Sequence, residues 1–287
     1  MFEFAKYHGA GNDFIMIEDL DARLVLEPAT VAALCDRRFG VGADGVIRVT
    51  RAKDADFYMD YRNADGTADR MCGNGIRCVG KLVHDRGLTH NTELTVGTPD
   101  GVKHLTLRLE AGRVTAVTVD MGLPAFERSA VPMRGPADET FLMQPVEAGG
   151  RLFTGTALYM GNPHLVLFLE EDPAGVPVVS IGSELELDEL FPERTNVEFV
   201  RVQGGRIEAR VWERGVGETM ACGTGACGIV VAANEVGLCA PKAEVHFPGG
   251  VLEVERSAQG PVFLTGPAEC VFEGRVEENE LVRRGTA

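Results

Sequence analysis

The sequence predicts an α+β protein made of two pseudo-symmetric domains. A Cys-Gly-x-Gly segment begins at Cys72 and occurs again at Cys222, 150 residues later. A predicted helix follows each cysteine, and a glycine ends each helix fifteen residues after its cysteine, at Gly87 and Gly237. Short strands joined by glycine-containing turns surround both helices. This internal repeat at one offset indicates two copies of one α+β unit.

The first half is predicted to contain two helices. Pro28 to Arg38 has a helical pattern, with proline in its first turn and a glycine beyond its end. The cysteine helix runs from Gly73 to Asp85. His8 to Phe14 and Asn63 to Gly66 are rich in Gly, Asn and Asp and are predicted as turns. Strand candidates are short apolar or alternating runs, at residues 2–7, 15–17, 46–49, 56–61, 92–96, 102–109 and 114–119.

The second half is predicted to repeat this arrangement after a junction at Met121 to Pro124. Its cysteine helix runs from Gly223 to Val236, and Val178 to Phe191 is predicted to be helical in part. Glu213 to Glu218 forms a glycine-rich loop, and Gly161 to His164 forms a turn. Strand candidates lie at residues 152–160, 165–169, 197–202, 207–212, 244–247, 252–255, 262–265 and 270–272.

Composition and charge are those of an ordinary soluble globular protein, and they argue against two classes of partner. Hydrophobic residues make up 45% and charged residues 25% of the chain, as in ordinary globular proteins. A net charge of −15 argues against nucleic acid and against an anionic membrane surface. The absence of an export signal and the odd number of cysteines, seven, favour a cytoplasmic location. We expect no metal, because the cysteine spacings differ from the Cys-x-x-Cys pairs of zinc sites, and no cofactor.

Each repeated cysteine is predicted to precede a helix N-terminus, where the dipole favours negative charge, so it should ionise readily. If the two halves pack face to face, the sulfurs of Cys72 and Cys222 would lie on opposite sides of a substrate α-carbon. A thiolate could then remove the α-proton on one face while a thiol delivers a proton to the other, which inverts the centre. Backbone N–H groups would bind the substrate carboxylate and stabilise the charge of the carbanion, at Gly73, Asn74, Gly223 and Thr224.

Other interpretations remain open from the residues alone. A redox couple between Cys72 and Cys222 ranks lower, because dithiol motifs place both cysteines in one turn. Glu213 and Arg214 fit either a clamp for an ammonium and a carboxylate or a solvated turn. His164 could tune a thiol, although alone it is more typical of a structural residue. The turn asparagines are equally typical of backbone roles, namely Asn12, Asn63, Asn162 and Asn196. The remaining cysteines are predicted to be packing residues, namely Cys35, Cys78, Cys227, Cys239 and Cys270.

Five motifs carry a resemblance to a known family over residues 6–272. They are His8-Gly-Ala-Gly-Asn-Asp-Phe14, Met71-Cys-Gly-Asn-Gly75, Met160-Gly-Asn-Pro-His164, Trp212-Glu-Arg-Gly-Val-Gly-Glu-Thr219 and Ala221-Cys-Gly-Thr-Gly225. Together with Asn63-Ala-Asp-Gly66 and Glu193-Arg-Thr-Asn196, they resemble the diaminopimelate epimerases. Proline racemases share the cysteine pair, but they usually carry histidine where this chain has Asn74.

The resemblance implies a fold, an activity and a site. Each domain would be a mixed, mostly antiparallel sheet wrapped around a central helix, with the active site in the cleft between residues 1–119 plus 268–287 and residues 120–267. The activity would be epimerisation of LL- to meso-2,6-diaminopimelate without pyridoxal phosphate or metal, in bacterial lysine and peptidoglycan precursor synthesis, by a homodimer. A related two-cysteine amino-acid racemase is the alternative.

The resemblance also assigns roles by position. Cys72 and Cys222 match the acid/base cysteines, and His164 and Glu213 match positions that assist them. Substrate-binding positions are matched by Asn12, Asn63, Gly73, Asn74, Asn162, Asn196, Glu213, Arg214, Gly223 and Thr224. Two positions differ from some members of the family: Gly45 replaces a glutamine that touches substrate, and Phe272 replaces a tyrosine at the dimer contact.

Overall fold

The computed structural model describes residues 2–277 and divides into two compact α+β units. The chain passes from the first unit to the second between Val119 and Asp120, and it returns to the first between Thr265 and Gly266. The return therefore comes two residues before the boundary at 268 that we predicted. Pro267 already belongs to the first unit, because its carbonyl oxygen accepts a hydrogen bond from Arg77 Nε at 3.3 Å. Residues 278–287 of the predicted first domain lie outside the described residues.

Within residues 2–277, the first unit contains two helices, α1 (Pro28–Cys35) and α2 (Gly73–Asp85). Its strands are β1 (Phe2–Gly9), β2 (Asn12–Glu18), β3 (Gly45–Arg51), β4 (Phe57–Asn63), β5 (Glu93–Thr98), β6 (Gly101–Glu110), β7 (Arg113–Gly122) and, after the return, β17 (Glu269–Val276). The pairs β2–β3 and β4–β5 are parallel, and the pairs β1–β2, β1–β17, β3–β4, β5–β6 and β6–β7 are antiparallel. Helix α2 packs against β1, β2 and β6.

The second unit also has two α-helices, α3 (Val178–Glu186) and α4 (Gly223–Glu235), and a short 3-10 turn at Pro173–Gly175. Its strands are β8 (Phe141–Ala148), β9 (Arg151–Tyr159), β10 (Pro163–Phe168), β11 (Asn196–Gln203), β12 (Arg206–Glu213), β13 (Gly217–Thr219), β14 (Lys242–Phe247), β15 (Gly250–Arg256) and β16 (Val262–Gly266). Helix α4 packs against β9, β10, β11, β14 and β15.

The two units share one pattern of strand pairing. In the first, β2–β3 is parallel, β3–β4 is antiparallel and β4–β5 is parallel. In the second, β10–β11 is parallel, β11–β12 is antiparallel and β12–β14 is parallel. Each unit is thus a mixed, mostly antiparallel sheet around one long helix, which confirms the predicted fold class. Apolar side chains of both long helices are buried in the sheet of their own unit.

Three sequence predictions of local structure need correction. The turn predicted from His8 to Phe14 is wrong, because only Ala10 and Gly11 form a turn, with φ of 53° and 84°, and they join β1 and β2 as a hairpin. Helix α1 ends at Cys35 because the next side chain, Asp36, accepts hydrogen bonds from the N–H groups of residues 38 and 39. The predicted loop from Glu213 to Glu218 includes the start of β13, which pairs with β12.

Strand β8 is absent from the sequence prediction. Five of its eight residues are half-buried or exposed, and Pro145 interrupts the alternation that would otherwise mark a strand. Within residues 2–277, none of the helices is long and apolar enough to cross a membrane.

Candidate active site

Cys72 lies at the N-cap of α2, where its backbone is extended (φ −135°, ψ 116°). Its sulfur accepts a hydrogen bond from the Gly75 N–H at 3.4 Å. The side chain therefore caps one of the donors that the start of a helix leaves without an intrahelical acceptor. Cys72 is half-buried, and its thiol donates to Asn12 Oδ1 at 3.6 Å. The first unit thus places a partly accessible sulfur at the positive end of its long helix.

Asn12 connects Cys72 to the beginning of α2. Its Oδ1 accepts a second hydrogen bond from Asn74 Nδ2 at 3.3 Å, while its own Nδ2 donates to Asp44 Oδ2 at 2.7 Å. The carboxylate of Asp44 can only accept, so it fixes which way the Asn12 amide is turned. The structure therefore brings together three of the residues singled out in the sequence, Asn12, Cys72 and Asn74. Asp44 is a further member that sequence reasoning missed.

Arg77 is a fully buried cation one turn into α2. Its Nη1 donates to Gly73 O and its Nη2 donates to Asn74 Oδ1, both at 3.0 Å, and its Nε donates to Pro267 O at 3.3 Å. A guanidinium has five N–H donors in a rigid fork, so one side chain can hold all three groups at once. Sequence reasoning missed this residue. The available signal was a charge between two apolar helix positions, Ile76 and Cys78.

Asn63 ends β4 and lies beside Gly45 of β3. It is paired with Gly45 in the β3–β4 register, and its Nδ2 donates to Thr67 Oγ1 and Asp69 Oδ2, both at 3.3 Å. A Cβ added at Gly45 would lie 2.6 Å from the Tyr61 ring. The backbone oxygen of Arg62 would be even closer, at 2.5 Å, so this oxygen and the ring together occupy the space that a side chain at residue 45 would need. Only glycine fits at residue 45, and Asn63 lies beside it on the neighbouring strand.

Cys222 repeats the geometry of Cys72 in the second unit. It lies at the N-cap of α4 with an extended backbone (φ −121°, ψ 126°), and its sulfur accepts from the Gly225 N–H at 3.4 Å. Thr224 Oγ1 is also 3.4 Å from the sulfur. Unlike Cys72, Cys222 is buried. The two cysteines therefore cap their helices in the same way, but Cys72 is partly accessible to solvent and Cys222 is not.

Burial raises the pKa of the Cys222 thiol well above its usual value, and the Glu213 carboxylate raises it further. Hydrogen bonds from Thr224 and from the Gly225 N–H act in the opposite direction but are outweighed. The prediction that a cysteine at this helix start ionises readily is therefore wrong for Cys222. Desolvation of the thiolate exceeds the favourable effect of the helix N-terminus.

Glu213 lies at the end of β12, next to Cys222. Thr219 Oγ1 donates to its Oε1, and β13 holds the two strands in register through the pair Glu213 and Gly217. Burial raises the pKa of the Glu213 carboxyl, although hydrogen bonds from Thr219 and Cys222 oppose the rise. A carboxyl with a raised pKa beside a thiol with a raised pKa can exchange a proton with it.

His164 lies in the interior of the second unit, between an amide and a carboxyl. Its Nε2 is 2.6 Å from Asn162 Oδ1 and its Nδ1 is 2.6 Å from Glu198 Oε1. Both His164 and Glu198 are fully buried. Sequence reasoning missed Glu198, although a glutamate between Val197 and Phe199 in an apolar strand was a visible signal.

Asn196 holds the loop that carries Arg214. Its Nδ2 donates to Pro163 O at 2.8 Å, and its Oδ1 accepts from the Arg214 N–H at 2.9 Å. The guanidinium of Arg214 is exposed and donates to Glu193 O at 3.1 Å. Asn196 is also the register partner of His164 between β10 and β11. The structure therefore links Asn196 and Arg214 through the backbone and leaves the guanidinium at the surface.

The predicted carboxylate donors occupy the first two positions of each long helix. Gly73 and Asn74 begin α2, and Gly223 and Thr224 begin α4. The first N–H groups of a helix lie outside its internal hydrogen-bond ladder, and they attract anions. Each unit therefore has a helix start immediately beside its cysteine. Across residues 2–277, no cluster of three or more His, Cys, Asp or Glu side chains has the arrangement of a metal site.

Two α+β units, each with a cysteine that caps the start of its long helix, define an isomerase of the epimerase and racemase class. A family model described as diaminopimelate epimerase matches residues 4–127 and 156–271. The chain belongs to the diaminopimelate epimerase family, as its motifs predicted.

Individual relatives agree with the family match. The chain is 44% identical to the diaminopimelate epimerase of Leptospira biflexa over 276 residues, covering 96% of this chain and 98% of the relative. It is 45% identical to the diaminopimelate epimerase of Moorella thermoacetica over 274 residues, covering 94% and 98%. The crystal structure of a hydroxyproline epimerase from Agrobacterium vitis has the same fold, with a TM-score of 0.68, 16% identity, and coverage of 96% of this chain and 90% of that one. Sequence identity thus favours the diaminopimelate epimerases over the racemase alternative.

Proposed function

We propose that this protein interconverts LL- and meso-2,6-diaminopimelate, in bacterial lysine and peptidoglycan precursor synthesis. The observation that carries the proposal is the repeated cysteine cap, in which Gly75 and Gly225 each donate an N–H to a cysteine sulfur at 3.4 Å. Identity of 42–46% to relatives named diaminopimelate epimerase supports the choice of substrate. Epimerisation at an α-carbon needs one acid and one base, and two cysteines supply both.

In the proposed reaction, Cys72 and Cys222 act on opposite faces of the same α-carbon. Burial and Glu213 raise the pKa of Cys222 and so favour its thiol form. Cys222 is therefore the proton donor in the reaction direction that starts with Cys222 as a thiol. For this direction Cys72 first loses to solvent the proton that its thiol donates to Asn12 Oδ1, so that it enters as the thiolate. Its sulfur then takes the α-proton and becomes a thiol, and the Cys222 thiol delivers its proton to the opposite face and becomes a thiolate. Each sulfur has then exchanged its protonation state, and the reverse direction starts with the roles interchanged.

The electron pair left by the α-proton is stabilised through the substrate carboxylate. Deprotonation spreads negative charge onto the carboxylate oxygens, so donors placed there bind the transition state more strongly than the ground state. We assign this role to the backbone N–H groups at the two helix starts, namely Gly73, Asn74, Gly223 and Thr224. Glycine at the first position lets the substrate approach the backbone closely.

The other polar residues are assigned to binding and to assistance. The amides of Asn12, Asn63, Asn162 and Asn196 and the side chains of Glu213 and Arg214 would recognise the amino and carboxylate groups of diaminopimelate. Glu213 would assist Cys222, with which it shares a hydrogen bond. His164 would act through its two partners, since both of its ring nitrogens are engaged.

The proposal is tested by proton NMR in deuterium oxide with LL-diaminopimelate and, separately, with proline. We expect loss of the α-proton signal and formation of the meso isomer with diaminopimelate only. Replacement of either cysteine, Cys72→Ser or Cys222→Ser, should abolish inversion, whereas Cys239→Ser should not change it. Exchange with proline alone would contradict the substrate assignment. Full turnover by Cys72→Ser under reducing conditions would instead favour the redox couple.

We further propose a cytoplasmic homodimer that works without an added cofactor. We assign the dimer contact to strand β17, on which the apolar side chains of Val271 and Phe272 are 57% and 47% exposed. Light scattering should give twice the monomer mass of 30.9 kDa, and Phe272→Glu should lower it. A monomer at micromolar concentration would contradict the dimer, and loss of activity on dialysis against a chelator would contradict the absence of a metal.

A further inference from the structure

The side chain of Glu198 is unusual in having no exposed surface and only one of its oxygens paired. Oε1 lies 2.6 Å from His164 Nδ1, while Oε2 is buried without a hydrogen-bond partner among residues 2–277. An unpaired buried oxygen is far more costly on an ionised carboxylate than on a neutral acid. Burial accordingly raises the pKa of Glu198, and its interaction with His164 opposes the rise. The geometry favours a neutral acid that shares a proton with the imidazole.

The fold itself does not require a polar pair at this place. In the first unit, the matching parallel strands β2 and β3 carry Phe14 and Ile47 at the positions that His164 and Glu198 occupy on β10 and β11. The same strand pairing is therefore built with two apolar side chains in one unit and with a histidine and a glutamate in the other. A pair that exists only in one of two equivalent units is there for a reason other than folding.

The contacts with the long helices confirm that the two places correspond. A Cβ added to Gly75 on α2 would lie 2.6 Å from Ile47 Cδ1. A Cβ added to Gly225 on α4 would lie 2.9 Å from Glu198 Oε1. Ile47 and Glu198 thus lie against the third residue of their helices, directly behind the capping cysteines. Glu198 occupies a position at which the fold accepts an apolar residue of similar length.

The hydrogen bonds of His164 determine which of its two ring nitrogens carries the N–H proton. Its Nε2 is 2.6 Å from the oxygen Oδ1 of Asn162, which can only accept. Nε2 must therefore carry a proton and donate it. With Nε2 protonated, a neutral imidazole has a bare Nδ1, and that nitrogen can accept the acid proton of Glu198. Protons placed in this order give each of the two short contacts of His164 one donor and one acceptor.

We propose that Glu198 is a positioning residue that fixes the orientation of the Asn162 amide through His164. Its acid proton is shared with Nδ1, the ring is held as the Nε2–H tautomer, and the ring donates to Asn162 Oδ1. The amide group of Asn162 then presents Nδ2, a donor, away from the ring. Without Glu198 the ring can move its proton to Nδ1, and the amide can turn and present its oxygen.

The consequence for catalysis rests on the proposed function. An amide nitrogen presented to the substrate binds a carboxylate, whereas an amide oxygen repels it. Loss of the fixed orientation should therefore weaken substrate binding more than it slows the proton transfers. The expected signature is an increase in KM of about tenfold with little change in kcat, the size of one hydrogen bond to a charged group.

Nuclear magnetic resonance of the ligand-free protein tests the positioning directly. The two ring nitrogens of His164 have distinct ¹⁵N shifts in each tautomer, and we expect the Nε2–H form in the parent. Glu198→Ile, which copies the first unit, should give a mixture of tautomers. Glu198→Gln should keep the Nε2–H form, because its amide can still donate to Nδ1. The control Glu208→Gln removes a carboxylate on β12 that pairs with Arg201 at 2.9 Å, and it should change nothing.

Kinetics of the same variants test the consequence. Glu198→Ile should raise KM about tenfold, and Glu198→Gln and Glu208→Gln should match the parent. The proposal is overturned if Glu198→Ile keeps both the tautomer and the KM of the parent, or if Glu198→Gln behaves like Glu198→Ile, since the charge would then be the important property. A parent without epimerase activity would reject the proposed function, while the tautomer measurement would still decide the role of Glu198.

Discussion

Replacing Gly225 with alanine tests how closely α4 is packed against the groups around Cys222. The added Cβ would lie 2.9 Å from Glu198 Oε1, 3.1 Å from Cys222 Cβ and 3.4 Å from Cys222 Sγ. Because Glu198 is fully buried, it cannot swing aside, so the cysteine or the helix start must shift. Overpacking of this kind costs about 1–3 kcal/mol. Replacing glycine with alanine inside a helix stabilises the helix by about 1 kcal/mol. We therefore expect Gly225→Ala to lower the free energy of unfolding by roughly 1 kcal/mol.

Gly228 on the same helix provides the matched control. A Cβ at Gly228 would lie 3.4 Å from His164 Cγ and 3.5 Å from His164 Cβ, which are ordinary van der Waals contacts. Gly228→Ala should therefore gain about 0.5–1 kcal/mol of unfolding free energy. Displacement of the sulfur in Gly225→Ala should lower kcat by about 10²-fold, because catalytic groups tolerate little misplacement. Urea unfolding and epimerase assays measure both effects, and equal stability and activity of the two variants would refute the packing argument.

Three further predictions concern other parts of the two units. Arg77→Met should cost about 3 kcal/mol in urea unfolding, because it leaves buried acceptors unpaired; an unchanged midpoint would contradict the role of the guanidinium. Glu213→Gln should lower the pKa of Cys222, so that iodoacetamide labels Cys222 at lower pH, which peptide mass spectrometry measures. Burial alone would raise the pKa of Asp13, but hydrogen bonds from Arg37 and Lys6 hold it below its usual value. Asp13→Asn should therefore cost on the order of 2 kcal/mol in urea unfolding at neutral pH. The difference from the parent should begin to shrink only below about pH 4, the ordinary pKa of an aspartate, and it should vanish only as the pH falls through the lower pKa that Asp13 has in the folded protein.

The long helices were the most predictable part of the fold. Gly73 to Asp85 was predicted with both ends correct, and α4 ends one residue before the predicted Val236. A cysteine cap, glycines that allow close packing and a terminating glycine all act within a few residues, so the sequence encodes these boundaries locally. The repeat at 150 residues made the second helix as predictable as the first.

Features that depend on contacts between distant residues were not predictable. The ionisation of Cys222 was predicted from its helix start alone, but its pKa is set by burial and by Glu213, which the motif does not specify. Arg77 and Glu198 were missed for the same reason. Each is a charged residue type in an apolar segment, and each has a partner outside its own element, Pro267 for Arg77 and His164 for Glu198. A charge inside an apolar run is the pattern that would have identified both residues.

The central claim is that two different cysteines act as acid and base on opposite faces of one carbon. The most direct test is a single turnover of LL-diaminopimelate in deuterium oxide, with substrate and product separated before their isotope content is measured. If Cys72 takes the α-proton and Cys222 delivers another, the meso product carries deuterium at the inverted centre while the unreacted LL pool keeps its proton. If the product retains the proton of the substrate, one group transfers it, and the two-cysteine mechanism is contradicted.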